Sequence, residues 1–341
     1  MEFSGMKRRY ISSVVGLLLL AAPSAYPAQL LNSSYDVSRE LYEQLNPVFI
    51  QQWDTQHPQD TLTIRQSHGG SSRQALALLQ GMRADVVTFN QVPDVQILHD
   101  RGQLIPSDWQ QRLANNSSPY YSTMALVVRR GNPLDIKGWQ DLVKPGVKLI
   151  YPNPKTSGNG RYTWLAAWGA LSLSHHQDIS AVRRAMRQWV KNTQVADIGG
   201  RGATQSFVNQ KLGDVLITFE AEARALQQQY PDEHYQVIIP QTNIKAEFPV
   251  TWIDRNTERD NSTTVAKAYL NFLYQPEAQN ILTRFYYRTY HATPSVVAQQ
   301  HFAPVHFFTV EQQFGSWQKA MQSHFAPQGE FDTLQAAGST L

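Results

Sequence analysis

The sequence predicts an α/β protein made of two sheet-and-helix units, and three observations carry that expectation. From residue 29 onward, short strand-like runs alternate with helical patterns. The βαβα order, which calls for parallel strands with helices on both faces, occurs twice. Two longer strand-like runs, "STMALVVRR" (122–130) and "EFPVTWIDR" (247–255), stand between the two series. A length of 341 residues is long for one core and sufficient for two.

The elements follow in order. "QLLNSS" (29–34) precedes the helical "DVSRELYEQLNPVFIQQW", "TLTIRQS" (61–67) precedes "SSRQALALLQGM", and "ADVVTFN" (84–90) completes the first series. In the second, "VKLIYPNP" (147–154) precedes "NGRYTWLAAWGALSL", "QVADIGG" (194–200) precedes "GATQSFVNQKL", and "DVLITFE" (214–220) precedes "AEARALQQQY". The chain then turns helical again in "TTVAKAYLNFLY" and "EAQNILTRFYYR". This order predicts a first lobe from 29–120 plus 248–341 and a second lobe from 121–247. Ligands in such sheets bind beyond the carboxyl ends of the strands.

Bulk properties narrow the function classes. "MKRR" (6–9), an apolar run and small residues near Ala25 and Ala28 form a secretory signal pattern over residues 1–28, with cleavage expected after Ala28. That segment holds three basic residues and one acidic residue, so the formal +3 falls to about +1 in the mature chain. A nearly neutral surface argues against nucleic acid and anionic membranes as partners. There are 0 cysteines, which excludes disulfides, thiol chemistry and Cys-ligated zinc. The expected compartment is a bacterial periplasm.

Four strand-to-helix turns share one character: "SSYD" (33–36), "HGGSS" (68–72), "KTSGN" (155–159) and "GGRGAT" (199–204). "SHGGSSRQ" looks like a phosphate loop but lacks the lysine that such a loop carries near its end. A helix start leaves backbone N–H groups without partners and bears about half a positive charge, so it attracts anions. One such turn reads as an ordinary cap. Four, two per lobe, point to one small anion held between lobes by N–H and hydroxyl donors. Hydrogen bonds to a charged partner contribute about 1.5–3 kcal/mol each, so six or seven exceed the roughly 8 kcal/mol of micromolar binding after association costs. A donor-only site accepts sulfate and leaves the proton of hydrogen phosphate without an acceptor.

"LLNSSYDVSREL" (30–41), "RQSHGGSS" (65–72), "YPNPKTSGN" (151–159), "LAAWGA" (165–170), "GGRGAT" (199–204), "AEFPVTW" (246–252) and "FGSW" (314–317) resemble the periplasmic sulfate-binding proteins, and within them the members that also take thiosulfate. The resemblance implies a two-lobed type II solute-binding fold, each lobe a mixed sheet flanked by helices with a hinge between. It implies delivery of thiosulfate and sulfate to an inner-membrane ABC permease, without cofactor, metal or catalysis, by a protein expected to be monomeric. Carried over by motif, backbone N–H donors fall on Asp36, Gly158, Asn159 and Gly200. Ser71 supplies N–H and hydroxyl, and Ser157 supplies its serine. Where sulfate-specific relatives use an indole N–H, this chain has Phe219, which cannot donate. Asn159 stands where those relatives have a second glycine. Both departures point to thiosulfate acceptance alongside sulfate. Arg161 and Arg201 flank two turns and are expected to act behind the ligand contacts, and the Asp36 carboxylate to turn away and cap its own helix.

Two other readings were weighed. "SHGG" could be an esterase oxyanion turn with His68 as a base, but no G-x-S-x-G nucleophile elbow occurs. Ferric-ion capture would use the pairs Tyr120–Tyr121 and Tyr286–Tyr287, which fall in a predicted crossover and an aromatic helix where packing is the default.

Overall fold

The computed structural model describes residues 28–290 and 302–338, together with Met1. The expected signal segment lies outside the described residues apart from Met1 and Ala28.

The first sheet has the order β2–β1–β3–β12. Strand β1 (Ala28–Ser34) lies between β2 (Leu62–His68) and β3 (Val86–Thr88), parallel to both, and β12 (Val250–Trp252) returns antiparallel on β3. Helices α1 (Arg39–Gln56), α2 (Ser71–Leu79) and α3 (Val92–Asp100) follow the three parallel strands. All three therefore start at one edge of the sheet.

The second sheet has five strands. Parallel strands β6 (Leu149–Pro152), β7 (Thr193–Asp197) and β8 (Val215–Phe219) are followed by α4 (Gly158–Ser174), α5 (Gly200–Val208) and α6 (Glu220–Gln229), or in the case of β7 by α5. Strand β5 (Met124–Val128) pairs antiparallel with both β8 and β9 (Gln236–Ile238). The strand-like run 122–130, which stands between the two series, thus supplies an inner strand, and the sheet is mixed, as expected. Both faces of β5 are buried: Ala125 and Val127 belong to one apolar cluster, and Met124, Leu126 and Val128 to the other. The side-chain period of two in a strand buried on both faces explains the unbroken apolar run.

Helix α4 is buried almost all round, with Trp164, Leu165, Ala166, Ala167 and Leu171 fully enclosed. A helix apolar on every side belongs in a core. Here it fixes the position of the Ser157–Asn159 turn at its start.

Three segments join the sheets. Strand β4 (Tyr121–Ser122) pairs antiparallel with β11 (Ala246–Glu247), and Tyr121 also bridges Arg288. Beneath them Phe248, fully buried, is the centre of an aromatic block. Its ring centroid lies 5.2 Å from Tyr35, 5.3 Å from Tyr120, 5.4 Å from Tyr287 and 5.1 Å from Phe219. A buried Glu220–Arg288 ion pair at 2.7 Å ties the second sheet to the third crossing.

The sequence reading places 248–341 with the first lobe. Residues 306–338 of that stretch also contact elements of the second series. Strand β13 (His306–Phe308) extends β10 (Thr242–Ile244), and the last helix, α8 (Glu330–Gly338), packs on α7 (Ile179–Asn192). Trp164 donates to His324 at 3.2 Å and meets Phe331 edge-on, and Lys155 pairs with Asp332 at 2.7 Å. These partners lie between residues 153 and 245, whereas Trp317–Ala320 meets α3 of the first lobe, so the chain end contacts helices of both lobes.

Truncating a buried phenyl ring typically costs about 3–5 kcal/mol. Phe248→Ala is expected to fall in that range in urea unfolding, and a loss below about 1 kcal/mol would show that the aromatic block does not hold the crossings together.

Candidate anion site

Four helix starts meet between the sheets because each follows the carboxyl end of a parallel strand and the two carboxyl edges face each other. Contacts across the gap place them. A Cβ on Gly70 would lie 3.9 Å from the Thr156 carbonyl, one on Gly158 would lie 2.3 Å from Asn90 Oδ1, and one on Gly199 would lie 3.2 Å from Asp36 Oδ2. A Cβ on Gly200 would lie 3.3 Å from Asn159 Nδ2, within the second lobe. The four turns singled out in the sequence therefore form one cluster with the lobes together.

The N–H donors are uncommitted. No described carbonyl or side chain accepts from the backbone N–H of Ser71, Gly158, Asn159 or Gly200. The Gly160 N–H is the exception at its helix start, donating to Ser157 Oγ at 3.4 Å. The Ser71 hydroxyl is also occupied: it donates toward Asn90 Oδ1 at 2.7 Å and toward Asp94, so its backbone N–H is the free donor of that residue.

Arg161, Arg201 and Lys155 have protein partners, while Arg39 and Arg73 on the first-lobe turns are exposed and have no ion pair among the described residues. Arg161 donates to Ser72 Oγ at 3.1 Å and pairs with Asp94 at 3.5 Å across the gap. Arg201 donates to the Asp36 carbonyl at 3.2 Å and pairs with Glu40. The Lys155 ammonium is held by the Phe325 carbonyl at 2.8 Å and by Asp332. Asp36 uses Oδ1 to accept from the Val37 N–H at 3.1 Å, while Oδ2 faces the Gly199 turn. Burial raises its carboxyl above the ordinary range against the opposing pull of Arg201.

Phe219 is fully buried, its ring 6.0 Å from Tyr162 and 5.1 Å from Phe248. It ends β8, and its ring packs into the aromatic block around Phe248. His68 is only partly enclosed, its Nδ1 within 3.3 Å of Ser38 Oγ, and burial lowers its pKa. Tyr120 and Tyr287 belong to a buried hydroxyl cluster with Tyr35, whose hydroxyl donates to Tyr287 at 2.8 Å. Burial keeps these phenols protonated, which is poor preparation for ferric ligation.

The structure adds residues that motif reading did not single out. Asn90, Gln91 and Asp94 follow β3 and meet the Gly158 turn and Arg161. Thr218 and Glu222 flank β8's end, and Asn159 Nδ2 donates to both at 2.8 Å. The available signal was position: "TFNQ" and "TFEAE" each follow a parallel strand, where ligands bind.

Two facing sheets, three crossings and a donor cluster between them define a two-lobed binding protein. Residues 37–288 match the family described as bacterial extracellular solute-binding protein. The chain is 54% identical to a thiosulfate-binding protein of Escherichia coli strain K12, over 98% of each chain. It is 42% identical to a sulfate-binding protein of the same organism, over 94% of this chain and 98% of that one. Among solved structures it is similar to the sulfate-binding protein SubI from Mycobacterium tuberculosis H37Rv, with a TM-score of 0.75 and 27% identity, covering 87% of this chain and 99% of that one. The chain belongs to the bacterial extracellular solute-binding proteins.

Gly158 tests the closed geometry. Alanine there would drive into Asn90 and Gln91 of the opposite lobe only when the lobes meet. Gly158→Ala is expected to weaken sulfate binding at least about tenfold by calorimetry, while leaving urea stability within about 1 kcal/mol, since alanine is favoured at a helix start. Unchanged affinity would place the ligand elsewhere.

Proposed function

We propose that this protein captures thiosulfate and sulfate in the periplasm and delivers them to an inner-membrane ABC importer, acting as a binding protein without catalysis. One observation carries the reading: uncommitted helix-start N–H groups from both lobes converge, and the guanidinium groups that bridge the lobes, Arg161 and Arg201, are engaged by protein acceptors. Such a site suits a small, fully ionised oxyanion, which only accepts hydrogen bonds. The ligands named for the thiosulfate- and sulfate-binding relatives have this chemistry.

In this reading Asp36, Ser71, Gly158, Asn159 and Gly200 present N–H donors, and Ser157 fixes the α4 turn by capping it. Arg161 and Arg201 hold the lobes together around the ligand. Phe219 offers an apolar, polarisable wall that suits the terminal sulfur of thiosulfate. We assign residues 29–120 and 248–290 to one lobe and 121–247 to the other, with 306–338 contacting both.

Calorimetric titration of the mature, dialysed protein checks this. Thiosulfate and sulfate are expected to bind with micromolar or tighter affinity and phosphate to give no heat of binding. Silence toward both sulfur oxyanions would return the four turns to ordinary helix caps.

A further inference from the structure

Two carboxyl groups flank the Gly199–Gly200 turn, where a ligand anion would add a third negative group. Asp36 Oδ2 reaches it from the first lobe, and Glu222 from the second: a Cβ on Gly200 would lie 3.1 Å from Glu222 Oε1 and 3.4 Å from Oε2. The hydrogen bonding of Glu222 is lopsided. Oε2 accepts from Asn159 Nδ2 at 2.8 Å and from the Thr218 hydroxyl, whereas Oε1, the oxygen nearer Gly200, has no hydrogen bond among the described residues.

Among the described residues no cation forms an ion pair with this carboxyl, although Arg201 faces it. The charged and titratable groups facing Glu222 are Asp36 and Glu40 from the first lobe, Arg201 from α5 and Tyr287 from the third crossing. Arg201 is shared with Glu40 and the Asp36 carbonyl, and Tyr287 is held as a phenol by burial. Glu220, two residues earlier on α6, is paired with Arg288.

We propose that Glu222 carries a proton in the closed site, so that closure on the anion takes up a proton and turns Glu222 Oε1 into a neutral donor beside the ligand. The proposal rests on the anion-site reading above and adds a proton to the ligand. Oε2 is left to accept from Asn159 and Thr218, so the protonated carboxyl is satisfied on both oxygens. A cavity of about 390 Å³, lined by Glu222, Arg201, Glu40 and Tyr287 among others, gives water access to the group.

The direction of the linkage follows. Burial first, then the charge of Asp36, push the Glu222 carboxyl from its ordinary 4.5 up to about 8 in the closed arrangement. Separating the lobes removes Asp36 and Glu40, and a dianion pushes the closed value higher still. The protonated form is thus favoured on closure. Affinity is greatest at low pH and falls as pH rises from the ordinary carboxylate range toward the closed-state value.

The test is calorimetric titration with thiosulfate in two buffers of different ionisation enthalpy, across pH 6–8. The wild type is expected to take up close to one proton per ligand, with affinity falling up to about tenfold per pH unit. Glu222→Gln, which keeps a donor and loses the titration, is expected to abolish the uptake and flatten the profile. Thiosulfate binding by the wild type with no proton uptake overturns the assignment and leaves the anion site standing, whatever the folding of the variant. Uptake persisting in Glu222→Gln moves the proton to another group and also overturns it. No thiosulfate binding at any pH removes both readings together.

Discussion

A helix start leaves backbone N–H groups with no carbonyl within reach, and enclosing such groups without an acceptor costs about 1–3 kcal/mol each. This protein brings several of them to one place. Ser71 on one lobe and Gly158, Asn159 and Gly200 on the other keep their N–H groups uncommitted when the lobes meet. The closed arrangement is therefore incomplete without an acceptor between the lobes, and a small oxyanion removes that deficit from both sides at once. On the proposed reading closure and ligand binding are one event, because the donors come from both lobes.

The rest of the structure keeps that demand specific. Arg161, Arg201 and Lys155 stand near the turns, yet Asp94, Glu40, Asp332 and backbone carbonyls occupy them. The Arg161–Asp94 and Arg201–Glu40 pairs run between the lobes, so these two guanidinium groups are already matched. Phe248 joins Phe219 to Tyr35, Tyr120 and Tyr287, so the end of β8 and the crossings share one packed block.

Much of this was legible in the chain itself. The strand-then-turn-then-helix pattern marks β1, β2, β6, β7 and β8, and the Gly/Ser turns that follow β1, β2, β6 and β7 mark the donors, because both depend on local chemistry. Strands β9, β10 and β13 have only three residues each and leave no periodic signal. The antiparallel setting of β5 is decided by its neighbours and not by its own residues. Asn90, Asp94 and Glu222 escaped notice for a related reason. Their importance comes from what faces them across the gap or on a neighbouring helix, such as Gly158, Arg161 and Asn159. The seating of 306–338 depends likewise on distant partners, Trp164, Lys155 and Arg183.

The measurement that bears most directly on the converging helix starts is amide NMR of the backbone N–H groups during titration with thiosulfate. The account predicts that Ser71 of the first lobe and Gly158, Asn159 and Gly200 of the second shift downfield together at one ligand equivalent, as charged hydrogen bonds form. Shifts confined to one lobe, or to residues away from these four, would contradict it.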